Sequence, residues 1–164
     1  MVSHPTALID RLEGRPGPLG PAAELAASLG TDVDATQALL ARLLTGDRDQ
    51  RAWATQLALH LAPPVTAAVL SPLTQDPEPS VRAAAASGLA QLVAAGIDDT
   101  LAIAMLRLCI QDTGTQVPRS VVATLASQPA LASTAEDILR TLASHRSAAV
   151  RTMAAEHKQQ PPAS

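Results

Sequence analysis

Asp112-Thr-Gly-Thr115 is the segment whose residue types come nearest to catalytic machinery. An Asp-Thr-Gly carboxylate does acid–base hydrolysis only when a second such carboxylate shares its proton. The chain has one copy, so a structural role is expected. The histidines are His4, His60, His145 and His157. None stands at a zinc-site spacing from another His, Cys or carboxylate, so they read as surface or half-buried residues. Cys109 has no identifiable base to activate it and reads as a core thiol. Ser87-Gly88 lacks the flanking glycines of a nucleophile elbow. Gly14-Arg-Pro-Gly-Pro-Leu-Gly20 lacks the Gly-Lys-Ser/Thr of a phosphate loop. These residues imply no enzyme activity, no metal, no cofactor and no small-molecule substrate.

The residues that recur do so as a phrase. Leu73-Thr-Gln-Asp76-Pro-Glu-Pro-Ser-Val81-Arg82-Ala-Ala is its clearest copy. Cys109-Ile-Gln-Asp112 with Val117-Pro118-Arg119 is another, and Leu142-Ala-Ser-His-Arg-Ser-Ala-Ala-Val150-Arg151 a third. Leu44-Thr-Gly-Asp47-Arg-Asp-Gln-Arg51-Ala52-Trp53 is weaker. The anchors Leu44, Leu73, Cys109 and Leu142 lie 29, 36 and 33 residues apart. A period of this size marks a stack of helix pairs and shifts attention from catalysis to binding surfaces.

Helix signals fill the chain, and no two-residue alternation long enough for a strand occurs. Ten helices are expected. Pro5 opens the first, with Leu8, Ile9 and Leu12 on one face, and residues 14–21 form a loop by composition. Others run from Pro21 to Leu29 before Gly30, and from a capping box at Thr31–Asp34 through Leu44. Asp47 caps the next, carrying Trp53, Leu57 and Leu61 as far as Pro63-Pro64. Helices follow with inward Val65, Val69, Leu70 and Leu73, then Val81, Ala84, Ala85, Leu89 and Leu92, ending at Gly96. Asp98 or Asp99 caps the helix of Leu101, Met105, Leu108 and Cys109, and Thr115 that of Val117, Val121, Val122 and Leu125. A capping box at Ser133–Glu136 opens the helix of Ile138, Leu139 and Leu142, and the last holds Val150, Met153 and Ala154.

The composition fits such a stack. Of 164 residues, 47% are apolar, yet Trp53 is the sole aromatic, so the core must be Ala, Leu, Val and Ile. The 13 prolines fall mostly at helix starts and between helices, where a missing N–H matters little. Net charge is −3 and neither half is strongly basic, which argues against a large phosphate-binding surface. A single cysteine suits a reducing compartment. No secretory signal is visible at the N-terminus and charged or Pro/Gly residues interrupt every apolar stretch, so a cytoplasmic protein without a membrane span is expected. Eleven of the twelve basic residues are Arg, which, with the high Ala content, points to a GC-rich bacterial genome.

With its apolar-x-x-Asp-x-x-x-x-Val-Arg-x-x-Ala-Ala pattern, the chain resembles HEAT repeats over residues 34–157, best at 65–94. The resemblance implies an all-α, right-handed superhelix of about four helix pairs. Residues 1–33 would be N-terminal capping helices, 1–158 a single domain and 159–164 a flexible tail. It implies that Asp47, Asp76 and Asp112 pair with Arg82 and Arg151 as a ladder through the stack. It also implies a non-catalytic scaffold or adaptor that binds another protein on a concave face built from second helices. Arg51, Trp53, Arg82, Gln91, Arg119, Thr124, Arg151 and His157 are the candidate contact residues there. An Arg-bearing stripe prefers a partner with an acidic surface. Trp53 reads either as a hot-spot aromatic or as a plug for the end of the stack. A rival reading comes from residues 21–46, where Glu24-Leu-Ala-Ala-Ser-Leu29-Gly30 resembles a helix-turn-helix of a DNA-associated regulator. Its second helix presents Asp32 and Asp34 against a single Arg42, a poor match for phosphates.

Overall fold

A computed structural model of the chain describes residues 20–97, 99–128 and 131–157. The expected helix from Pro5, most of the 14–21 loop, His4, Asp98, the side chain of His157 and the 159–164 tail lie outside the described residues. Among those described there are nine helices and no strand. They are α1 (Gly20–Leu29), α2 (Val33–Leu44), α3 (Arg48–Ala58), α4 (Pro63–Leu73), α5 (Pro79–Ala94), α6 (Thr100–Cys109), α7 (Gln116–Ala126), α8 (Ser133–Leu142) and α9 (Ala148–His157). Among the described residues no helix is long and apolar enough to cross a membrane. The helices fall into two compact units, Met1–Leu61 and Ala62–Ser164.

In the first unit α3 packs against both α1 and α2. Leu25 and Leu29 of α1, Leu39, Leu40 and Leu43 of α2, and Ala54, Leu57 and Ala58 of α3 are its buried core. Gly30 ends α1 with φ +54°, a left-handed turn that costs glycine nothing. Asp32, rather than Thr31, caps α2, accepting 2.9 Å from the Ala35 N–H. Asp47 caps α3 in a full capping box: its carboxylate accepts from the Gln50 N–H, and Gln50 Oε1 accepts from the Asp47 N–H. Gly46 clears the space for that reach, since a Cβ there would lie 1.7 Å from Gln50 Oε1.

The second unit is a stack of helix pairs, α4/α5, α6/α7 and α8/α9. At 16 residues α5 is the longest helix, and it packs against α4, α6, α7 and α8. The second helices form a continuous row, α5 on α7 and α7 on α9, while α4 packs on α6 among the first helices. Small residues make the α5–α7 seam. Ser120 Oγ donates 3.1 Å to the Ala83 carbonyl, and the hydroxyls of Ser87 and Thr124 lie 2.6 Å apart. Val81, Leu89, Val93, Leu106, Val121, Leu125, Ile138 and Leu142 fill the space between pairs. Gly96 ends α5 at φ +74°, and the Ile97 N–H closes back 3.1 Å onto the Leu92 carbonyl. Asp99 caps α6 through the Ala102 N–H.

Several expectations are corrected. Ser133–Glu136 is no capping box. The chain enters α8 through extended Ala132 (φ −66°, ψ 153°), which makes Ser133 the first helical residue, one position too late to cap. Thr115 holds the N-cap position of α7 without a side-chain bond, because its backbone is already helical. Val65, Ala84, Leu101 and Leu108, expected inward, are exposed. A stacked helix buries a narrower arc than its apolar residues span, so the edges of that arc face water. Replacing Leu89, fully buried in α5, by Ala should lower unfolding stability by about 2–5 kcal/mol, whereas Leu108→Ala should change it by less than about 0.5 kcal/mol. Urea denaturation of the two variants checks the contrast.

Candidate functional site

The recurring phrase folds into a repeated turn between the two helices of each pair. Asp76 Oδ1 accepts 2.9 Å from the Glu78 N–H, and Asp112 Oδ1 accepts 2.7 Å from the Gly114 N–H. Each carboxylate therefore closes an Asx turn two residues on and does not cap the helix that follows. His145 stands in the same slot of the last pair, and its Nδ1 accepts 3.0 Å from the Ser147 N–H. A neutral imidazole thus does there what a carboxylate does in the two preceding turns.

The arginine of the phrase closes the turn from the other side. Arg82 Nη1 donates to the Asp76 and Pro77 carbonyls at 2.8 and 3.1 Å. Arg151 Nη1 does the same to His145 and Arg146, at 2.8 and 2.9 Å. In the first unit Arg51 Nη1 donates 2.9 Å to the Gly46 carbonyl. A guanidinium reaching back five or six residues satisfies carbonyl acceptors of the turn, which lie outside either helix's own hydrogen-bond ladder.

One rung of the expected ladder is present. Arg82 Nε pairs with Asp112 Oδ2 of the next helix pair at 3.2 Å, with both side chains largely buried. Arg146 then reaches back 3.4 Å to the Asp112 carbonyl. The Asp112 turn is thus held by its neighbours on both sides, and Pro118, in its own arginine slot, is buried in the core. Arg151 makes its bonds within its own turn.

The candidate contact residues separate accordingly. Arg51, Arg82 and Arg151 hold turns together. Thr124 is half-buried and bonded to Ser87. Trp53 is half-buried on α3, within the first unit. Gln91 on α5 and Arg119 on α7 are exposed. Sequence reasoning missed the carbonyl clamp, although its signal was present: Arg82 follows Asp76, and Arg151 follows His145, by six residues. Burial pushes the Cys109 thiol up to about 11, with nearby Asp112 adding to the rise against a hydrogen bond to Thr74. A thiol so protonated and buried is a poor nucleophile. Among the described residues no three His, Cys, Asp or Glu side chains cluster as a metal site.

Two outcomes follow from the turn geometry. Arg82→Ala should destabilise the protein by about 1–3 kcal/mol, since it orphans turn carbonyls and the Asp112 carboxylate. Arg119→Ala should stay within about 0.5 kcal/mol. Thermal denaturation of the two variants tests this. Burial, then Arg146 and Arg151, hold the His145 pKa below the ordinary 6.5. Protonation also forfeits the Ser147 N–H bond. Below 6.5 the unfolded chain takes up this proton more readily than the folded one, so the fold loses stability as pH falls through that region and keeps it above. His145→Asp, which restores the carboxylate of the other turns, should reduce the drop in Tm between about pH 7.5 and about pH 5.

Comparison with known proteins agrees with this geometry. The HEAT repeat family matches residues 68–95, which span the C-terminal half of α4, all of α5 and the turn at Asp76 between them. No curated protein and no solved structure matches the chain. Residues 68–95 thus match a HEAT repeat, and they sit inside an all-helical, HEAT-like array whose neighbouring pairs reuse the same turn.

Proposed function

We propose that this chain is a non-catalytic scaffold or adaptor that binds another protein along its row of second helices. HEAT repeats generally mediate protein–protein interaction, and the observation that carries the reading is the repeat at 68–95 within a stack. The row α5–α7–α9 offers a continuous surface of small side chains from which Gln91 and Arg119 project. Arg119 has neither a turn to clamp nor an ion pair among the described residues, so its guanidinium is available to a carboxylate of the partner. Arg82 and Arg151 shape this surface through the turns they hold, with Thr124 locking the α5–α7 seam. His157 would extend the row at the end of α9. Within the first unit, the half-exposed Trp53 beside Arg51 is a separate contact point. The nearly Lys-free composition and buried single cysteine suit a bacterial cytoplasm.

The rival reading places DNA against α2. Its exposed face carries Asp32, Asp34, Gln37 and Arg42, so net charge there opposes a phosphate backbone. Affinity purification with the full chain as bait should recover a protein partner. Arg119→Glu should cut that recovery about tenfold at unchanged Tm. Undiminished recovery would remove the second-helix row as the binding face. Sequence-dependent retardation of genomic DNA fragments would overturn the scaffold reading itself.

A further inference from the structure

The first helices carry a second surface, unrelated to the Arg positions. On α4, Val65, Ala68 and Pro72 are exposed at spacings of three and four residues. On α6, Leu101, Ala104 and Leu108 are exposed at the same spacings. Each lies 36 residues after its counterpart, which is the distance between the anchors Leu73 and Cys109. Because α4 packs on α6, the two rows lie side by side as one apolar strip. Its large members are substantially open: Val65 by 42%, Leu101 by 44% and Leu108 by 53%. The strip stops at the next pair, where Thr134, Asp137 and Thr141 of α8 take the equivalent positions.

Charge along this strip is one-sided. α4 contains no charged residue. On α6 the only charge is Arg107, exposed and without a hydrogen bond or ion pair among the described residues. Arg107 forms one lip of a groove of about 250 Å³ between α6 and α8, floored by buried Ile110 and Ile138. Asp137 forms the opposite lip, but its carboxylate is engaged by Arg140 of the same helix. The strip therefore ends in a cation that lacks an anion.

We propose that the α4–α6 strip is a docking surface for an amphipathic helix of another protein, one that carries a carboxylate at the edge of its apolar face. The strip consists of helix sides, with no free strand edge to pair with an extended peptide. A ligand that satisfies its own backbone, as a helix does, suits it. The ligand's apolar residues would cover Val65, Leu101 and Leu108. Its Asp or Glu would reach Arg107 at the lip of the groove, a charge-assisted contact beside desolvated surface. This surface rests on the protein-binding reading but not on the second-helix row, since none of its residues belongs to α5, α7 or α9.

The probe is a displayed library of helix-forming peptides about 14 residues long, selected against the full chain and resynthesised with Glu, Gln or Lys at the acidic position. Enriched peptides should repeat apolar residues every three or four positions next to Asp or Glu. The Lys version should bind at least about tenfold more weakly, and Arg107→Glu should reverse that order. Leu108→Asp and, independently, Leu101→Asp should abolish binding while circular dichroism and Tm remain unchanged. Arg119→Glu should leave binding intact. The proposal is overturned if no peptide is enriched, if the Lys version binds equally well, or if binding survives both aspartate variants. It is equally overturned if light scattering shows a dimer that Leu108→Asp dissolves, because the occupant is then a second copy of the chain. Peptides lost through Arg119→Glu alone would refute this surface and leave the scaffold reading standing.

Discussion

The second unit depends on one constraint: α5 must be covered from four directions at once. A helix so apolar that Val81, Ala85, Ala86, Leu89, Ala90 and Val93 are all buried cannot stand beside a single partner. With no Phe or Tyr in the chain, that burial is achieved by close approach and not by large side chains. Ala83, Ser87, Ser120 and Thr124 let α5 and α7 come near enough for hydroxyls to bond across the seam. Apolar area removed from water supplies the driving force, and small residues set the geometry in which it is removed.

The turn is where the repeat's polar residues serve that packing. A helix junction leaves carbonyls and N–H groups outside either helix's ladder, and the turn residues here supply partners for them. Asp76 and Asp112 satisfy the N–H groups, while Arg82 and Arg151 satisfy the carbonyls. Where Pro118 removes the local arginine, Arg82 and Arg146 hold the Asp112 turn from the adjacent pairs. His145 shows that the slot requires an acceptor and not a charge. It also makes that turn lose its acceptor when His145 is protonated, as pH falls below the ordinary histidine range.

The turns absorb several of the phrase's charged residues, and α4 to α7 are left with few exposed charges. Arg119 stands out on the second helices and Arg107 on the first. They belong to opposite sides of the helix pairs and to different chemistry, one on a surface of small side chains, the other beside an exposed apolar strip. Helix pairs whose inner sides are used up in stacking leave an outer face on each row of helices, and these are the two faces proposed for binding.

Much of this was readable along the chain. The spacing of Leu73, Cys109 and Leu142 implies stacked helix pairs, and Gly30, Gly96, Asp47 and Asp99 mark helix ends through local chemistry alone. Those features depend on neighbours within a few residues, so sequence suffices for them. The Ser133 cap failed because φ and ψ at Ala132 shifted the start of α8 by one residue, a choice invisible in residue types. Whether Val65 and Leu108 face inward, or which arginine meets Asp112, depends on where another helix pair lies. The sequence by itself determined the periodicity, the turns and the residues able to fill a core. Only the tertiary structure decided which apolar residues stay in water and which arginines remain unpaired, because exposure is a property of the stack and not of any one helix.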